Sequence, residues 1–187
     1  MTDSRPLLAN RELAGKIYNG LAFNVGWLAI VTGESTSWAL LVVAVYLSLH
    51  FLLLSRASGE WMMIGAIALF GAGLDQILFA AGLFQVNQQW SLAPLWLTCL
   101  WPLLASTLSH AFSGLQERLM LAAVLGTIGG GLSYIAGVRL TDVNFSDPLW
   151  GPALIAALWA IIFPCLAFVA RQVRQHQESG NGHAQAV

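Results

Sequence analysis

The sequence predicts an all-α fold: a polytopic membrane protein whose six transmembrane helices form an antiparallel bundle with both termini in the cytoplasm. Three observations predict it. The 187 residues are 57% hydrophobic and 9% charged, whereas soluble domains carry about 25% charged residues. Six apolar stretches approach the roughly 20 residues that a helix needs to cross a bilayer. Basic residues gather at one set of helix ends, which sets the orientation.

The spans follow one another with short polar connections, so sequential helices are expected to be antiparallel neighbours. Residues 1–16 form a cytoplasmic N-terminal segment in this interpretation. Residues 171–187 have little to bury and are predicted to be a disordered cytoplasmic tail. The predicted spans are residues 17–33, 37–54, 61–84, 92–112, 118–139 and 149–170.

Polar segments bound the first three spans. Span one begins after Lys16 and carries Asn24. It shows no small-residue cleavage pattern, so it is predicted to be a true span rather than a signal peptide. The segments that separate the first spans are GEST (33–36), SRASGE (55–60) and QVNQQWS (85–91).

Prolines mark the fourth and sixth spans. Pro94 and Pro102 predict that span four is bent or broken within the membrane, and Pro152 and Pro164 make the same suggestion for span six. Span five lies between Arg118 and Arg139 and contains no proline.

The distribution of Lys and Arg predicts the orientation. Seven of the eight basic residues lie on the side of the N-terminus, and only Arg139 lies at the opposite ends. The positive-inside rule therefore places both termini in the cytoplasm. The formal net charge of -1 provides no basic face for phosphates, so no nucleic-acid partner is expected.

A polar cluster is predicted inside the bundle, formed by Asp75 and Gln76 of span three, Ser133 and Tyr134 of span five, and Asn24 of span one. Asp75 and Ser133 each lie roughly 22 Å from the cytoplasmic end of their helix. A carboxylate in hydrocarbon must be paired, neutralised or hydrated. The candidate catalytic residues are therefore Asp75, Tyr134 and Ser133, with Asn24 and Gln76 as candidate substrate-binding residues. A structural clamp between helices is the alternative.

A second candidate cluster lies toward the cytoplasm and comprises His50, Glu60, Ser106, Thr107 and His110. Two histidines and a carboxylate could form a metal site. The sequence lacks the HxxxH and HxxEH spacings, and histidines at headgroup level commonly meet backbone or lipid phosphate. The four residues other than Glu60 are therefore predicted to bind substrate or a lipid headgroup, and no metal or cofactor is predicted.

Span five carries two lines of small residues, Gly126 with Gly130, and Gly129 with Ser133 and Gly137. This small-xxx-small spacing allows close approach of another helix backbone. The pattern predicts that all four glycines are helix-packing residues and that span five is central.

A shift of 58 positions lays GAGLDQI (71–77) on GGGLSYI (129–135), and APLWLTCLW (93–101) on GPALIAALW (151–159). A duplication would make Asp75 and Ser133 equivalent. Equal hairpin lengths and an apolar composition can also produce such matches, so both explanations stay open.

Five segments of the chain form a recognisable order. They are FNVGW (23–27), GAGLDQILFAAGLF (71–84), APLWLTCLW (93–101), ASTLSH (105–110) and GTIGGGLSYIAGVRL (126–140). Together they resemble the small bacterial membrane proteins grouped as domain of unknown function 2878, over residues 19 to 170. The family tends toward Gly-Pro where this chain has Gly130-Gly131, so a role that needs a proline kink there does not carry over.

The resemblance implies a multi-pass protein of the bacterial cytoplasmic (inner) membrane with no assigned activity. The resemblance also implies a gene encoded near genes of fatty-acid-modifying enzymes, which favours a lipid-related role with membrane lipids as partners. Three function classes follow. The protein could be a lipid-modifying enzyme or its accessory, a small carrier or flippase, or a non-catalytic partner of another inner-membrane protein.

Overall fold

A computed structural model describes residues 5–55 and 58–184. Within these ranges the chain is mostly helical, as the sequence predicts. The helices are α1 (Arg5–Gly33), α2 (Thr36–Leu53), α3 (Ser58–Ala80), α4 (Leu95–Thr98), α5 (Leu100–Leu108), α6 (Leu119–Leu140) and α7 (Trp150–Ala184), and the strands are β1 (Phe84–Val86) and β2 (Val143–Phe145).

Four of the described helices, α2, α3, α6 and α7, are long and apolar enough to cross a membrane. They indicate a membrane protein. The six predicted spans do not all appear as single, continuous apolar helices. Helix α1 begins at Arg5 rather than residue 17, and it is not among the four because polar residues such as Lys16 and Asn19 interrupt its apolar surface.

The predicted span 92–112 is broken, as its prolines suggested. Helix α4 ends at Thr98 and α5 begins at Leu100, with Cys99 at the junction. Pro102 has no N–H to continue the hydrogen-bond ladder across that junction. In contrast, Pro164 lies inside α7, which continues through it, so span six is not broken at this proline.

Helix α5 lies at the centre of the bundle. It packs against α1, α2, α3 and α7, and seven of its nine residues are buried. Helix α6 packs mainly against α7, so the prediction that span five is central is wrong. Helix α3 packs chiefly against α5 rather than against α2, its neighbour in sequence.

The two ends of the bundle are joined by different contacts. At one end β1 pairs antiparallel with β2, in the register Phe84 to Phe145, and Glu34 Oε2 accepts a hydrogen bond from the Asp142 backbone N–H at 3.0 Å. At the other end Glu117 meets the last part of α7 through Arg174. Helices α3 and α6 therefore run toward the same end of the bundle, and α7 runs in the opposite direction.

The predicted disordered tail, 171–187, is helical through Ala184, and residues 185–187 lie outside the described residues. Glu117 Oε2 lies 3.3 Å from Arg171 Nε, and Glu117 Oε1 lies 2.7 Å from Arg174 Nη2. These pairs hold the polar extension of α7 against the connection between α5 and α6, and composition alone does not reveal this contact.

The same order of elements occurs twice, as α3, β1, α4 with α5 and then α6, β2, α7. Trp101 and Trp159, which the 58-residue shift aligns, stack on each other with ring centroids 5.7 Å apart. The duplication stays a hypothesis, and these contacts fit it.

Candidate functional site

Asp75 is buried in the middle of the bundle with 1% of its surface exposed. Its Oδ2 accepts a hydrogen bond from Trp101 Nε1 at 2.8 Å, and its Oδ1 accepts one from the Tyr134 hydroxyl at 3.4 Å. The carboxyl group therefore joins α3 to α5 and α6. Tyr134 was predicted as a partner, whereas Trp101 was not.

Trp101 is held on both faces. A Cβ atom on Gly71 would collide with the Trp101 ring, and one on Gly130 would collide with Trp159. The two indoles stack between these glycines. Gly71 lies one helical turn before Asp75. A single turn of α3 therefore contacts the face of the Trp101 indole through Gly71 and accepts its N–H through Asp75.

The other members of the predicted polar cluster do not reach Asp75. Gln76 Nε2 donates to the Ala93 carbonyl oxygen at 3.1 Å, and its Oε1 accepts from the Ala93 N–H at 3.2 Å. Asn24 Nδ2 donates to Gly20 O of its own helix at 2.8 Å. Gln76 therefore fixes the connection before α4, and the predicted five-residue cluster is reduced to Asp75 and Tyr134.

A cavity of about 640 Å³ lies between α1, α4, α5, α6 and α7. Its walls are mainly apolar and include Trp27, Leu104 and Phe163. Trp101 and Tyr134 also line it, so the two groups that donate to Asp75 separate the carboxyl group from the cavity. The polar lining residues are Asn24, Thr107, Ser133, Tyr134 and Thr141.

The cavity opens sideways along α6. Leu125, Ile128 and Leu132 line the cavity and are also exposed on the outer surface of the bundle. Few residues of α1 and α6 touch. The mouth of the cavity is therefore bordered by apolar side chains on the outer surface of α6.

The two glycine lines of α6 have different roles. A Cβ on Gly126 would collide with Phe163 and Trp159 of α7, and Gly130 packs on Trp159. These two glycines pack as predicted. Gly129 and Gly137 have no atom of another element within 4 Å of such a Cβ and line the cavity. Within the described residues of this chain these two glycines leave open space, and the predicted close approach of another helix backbone is not made there.

The second predicted cluster forms around Glu60, in the first turn of α3. Glu60 Oε1 lies 3.1 Å from His50 Nε2 and 3.1 Å from His110 Nε2. The Ser55 side chain also hydrogen-bonds the Glu60 carboxylate. His50 Nδ1 is buried and has no hydrogen-bond partner among the described residues.

Ser106 and Thr107 lie near this cluster in sequence but bond elsewhere. Ser106 Oγ lies 2.7 Å from the Tyr46 hydroxyl, which also accepts from Asn19 Nδ2 at 3.4 Å. Thr107 Oγ1 donates to Leu104 O at 2.6 Å and lines the cavity. Asn19 and Tyr46 were not predicted, and no spacing motif in the sequence marks them.

A family model described as protein of unknown function (DUF2878) matches residues 16–165. The chain belongs to the DUF2878 family. The match begins within α1 and ends within α7, and it covers the Asp75 site, the cavity and the Glu60 cluster. No curated protein and no solved structure matches the chain.

This DUF2878 protein has two separate sites that suit different ligands. The cavity offers apolar walls and a few hydroxyl groups, which suits a largely hydrocarbon ligand. The Glu60 cluster offers a carboxylate and two imidazoles, which suits a proton or a cation.

Proposed function

We propose that this protein binds the hydrocarbon chain of a membrane lipid, or of a molecule derived from one, in the cavity between α1, α5 and α6. The observation that carries the proposal is the cavity itself. Its volume of about 640 Å³ falls within the roughly 300–1,000 Å³ of small-molecule sites, which are lined mostly by apolar and aromatic side chains.

The walls of the cavity favour hydrocarbon over water. Apolar cavities exclude water because a water molecule there lacks hydrogen-bond partners. The exposed residues Leu125, Ile128 and Leu132 form the rim on α6. In a bilayer this rim faces acyl chains, which can fill the space without losing hydrogen bonds.

Hydroxyl and amide groups on the cavity wall provide places for the polar end of the bound molecule. Ser133 and Tyr134 are adjacent on α6, and Asn24 lines the same cavity from α1. Asp75 acts behind the wall in this proposal: it accepts from Tyr134 and Trp101 and positions both side chains. If the Tyr134 hydroxyl transfers a proton to or from the bound lipid, the protein modifies it. If the hydroxyl does not, the protein binds the lipid and presents it to an enzyme.

The remaining alternatives make different use of the same cavity. A proton-coupled carrier requires a polar path to Asp75, whereas Asp75 is 1% exposed and lies behind Trp101 and Tyr134. This disfavours the carrier or flippase. A helix of another inner-membrane protein could instead fill the groove along Gly129 and Gly137, and the experiment below distinguishes that outcome.

We also propose a multi-pass protein of the bacterial cytoplasmic membrane with both termini in the cytoplasm. Contacts between Glu117 and Arg174, and between the Gly59 and Gln177 regions, gather the helix ends that carry most of the basic residues. The positive-inside rule assigns that end to the cytoplasm.

Native mass spectrometry of the full chain released from detergent tests lipid binding. Gly129→Leu fills the cavity, and Gly73→Leu is the matched control because a Cβ on Gly73 of α3 meets no atom within 4 Å and Gly73 does not line the cavity. We expect the unmodified protein and Gly73→Leu to retain a lipid, and Gly129→Leu to retain several-fold less.

Equal lipid retention in all three proteins would contradict the proposal. Loss of a co-purifying membrane protein from Gly129→Leu, with no lipid bound to the unmodified chain, would favour the partner alternative instead.

A further inference from the structure

A compact donor set from three parts of the chain lies at the end of the bundle where α2 ends and α3 begins. His50 belongs to α2, Glu60 to α3, and His110 to the turn after α5. One ligand atom of each residue lies within 4.8 Å of the others. Among residues 5–55 and 58–184, these three residues form the group of histidine, cysteine or acidic side chains whose ligand atoms lie close enough together to hold a metal ion.

The spacing is close to that of a coordinated ion. Zinc bonds of about 2.0–2.2 Å to nitrogen and oxygen put neighbouring ligands of a tetrahedral site roughly 3.3–3.6 Å apart. Glu60 Oε1 lies 3.1 Å from both His50 Nε2 and His110 Nε2. Small side-chain adjustments are therefore sufficient to place an ion between the three atoms.

Burial and charge also favour a cation. The side chains of His50 and Glu60 are 2% and 6% exposed, so the carboxylate needs a compensating positive charge. The partners that the structure gives Glu60 are the two histidines and Ser55. Neutral imidazoles leave the group at a net charge of about -1, and a divalent ion changes this to about +1 without protonating a buried ring.

The donor set reaches the surface at His110. The side chain of His110 is 20% exposed, whereas those of the other two residues are buried. Three protein ligands with one accessible position is the arrangement of catalytic zinc sites with two histidines and a glutamate. The same ligand types also bind non-haem iron(II).

We propose that His50, Glu60 and His110 bind one divalent transition-metal ion, with water or a small anionic ligand in the accessible fourth position. The ion links the end of α2, the start of α3 and the turn after α5. This site is independent of the cavity and of the proposed lipid binding.

Metal content and cobalt spectroscopy test the site in the full chain, purified in detergent with any affinity tag removed. Protein treated with a chelator is reloaded separately with Zn²⁺, with Fe²⁺ under anaerobic conditions, and with Co²⁺. We expect about one ion per chain for one of the first two metals, and the visible absorption of four-coordinate cobalt with histidine and carboxylate ligands.

Glu60→Gln and His110→Ala are expected to weaken binding at least about tenfold, since even loss of an outer-shell partner costs 10–100-fold. His176→Ala, at an exposed position of α7, is the matched control and should bind as tightly as the unmodified protein.

The unmodified protein gives a readout that does not depend on whether a variant folds. Absence of stoichiometric Zn²⁺ or Fe²⁺ and of the cobalt spectrum would overturn the proposal. Equal binding by the unmodified protein and by a folded Glu60→Gln variant would overturn it as well. The choice between Zn²⁺ and Fe²⁺ follows from which ion is retained after dialysis.

Discussion

Trp101 lies flat against Gly71 while its indole N–H donates to Asp75 Oδ2 at 2.8 Å. Gly71 and Asp75 are four residues apart on α3, so they share one helix face. The glycine provides space for the ring, and the carboxyl group accepts its one polar hydrogen. The Gly-Ala-Gly-Leu-Asp segment is therefore a binding surface for a tryptophan of α5.

Gly71→Ala is expected to destabilise the protein by about 1–3 kcal/mol, because the added methyl group forces the Trp101 ring out of its place. Thermal unfolding in detergent measures the effect, with size-exclusion chromatography reporting the fraction of protein that stays folded at each temperature. Gly73→Ala is the control, since its Cβ meets no atom within 4 Å, and it should change stability by no more than about 1 kcal/mol. Similar stability of the two variants would contradict the packing described for Trp101.

The hydrogen bond itself can be isolated by a double-mutant cycle that combines Asp75→Leu with Trp101→Phe. Hydrogen bonds inside membrane proteins give coupling energies of about 0.6 kcal/mol on average and up to about 1.7 kcal/mol. We expect a value toward the upper end, because the contact is short and buried. The measurement is unfolding by SDS in mixed micelles.

Trp38→Phe provides the matched cycle. Trp38 donates its indole N–H to Ala29 O at 2.8 Å and makes no described hydrogen bond with Asp75. Combined with Asp75→Leu, it should be additive within about 0.3–0.5 kcal/mol. A coupling energy for Trp101 no larger than this control would show that the indole contributes to stability through packing alone.

Apolar length and polar punctuation predict α2 and α6 to within one residue at each end. The same information is weaker where contacts between distant segments decide the structure. The helical extension of α7 depends on the pairing of Arg171 and Arg174 with Glu117, 54 or more positions earlier in the chain. Local composition does not contain that pairing.

The candidate sites show the same limit. Depth along the helices correctly associates Asp75 with Tyr134, but rotation about each helix axis decides which side chains meet. Ser133 is next to Tyr134 in sequence and lines the cavity instead of bonding Asp75. Small-residue spacing likewise identifies Gly129 as special, yet the pattern is equally consistent with close packing and with an open space.

The proposed orientation predicts opposite labelling of two introduced cysteines, in a background lacking Cys99 and Cys165, which are both free thiols. Gln89→Cys lies in the connection after β1, and Gly114→Cys lies in the connection before α6, both at exposed positions. A membrane-impermeant maleimide applied to intact spheroplasts should label the first, and should label the second only after permeabilisation. The reverse pattern, or labelling of both before permeabilisation, would contradict cytoplasmic termini.

Tyr134→Phe distinguishes a lipid-modifying role from lipid binding alone. The change removes the hydroxyl that donates to Asp75 at 3.4 Å and keeps the aromatic wall of the cavity. If the hydroxyl transfers a proton to or from the bound molecule, its loss slows the reaction about 10²–10⁴-fold. The lipid composition of the variant strain should then approach that of a deletion strain, as measured by comparative lipidomics, and Asp75→Asn should change it in the same direction.

Tyr18→Phe is the control for this comparison, because Tyr18 is exposed on α1 and should leave the lipid composition unchanged. A lipid change in the deletion strain that Tyr134→Phe does not reproduce would assign the protein to lipid binding or presentation, with the chemistry performed elsewhere. An unchanged lipid composition in the deletion strain would contradict the lipid-related role itself. The Tyr134 hydroxyl is the informative position because it joins the cavity wall to a buried acid.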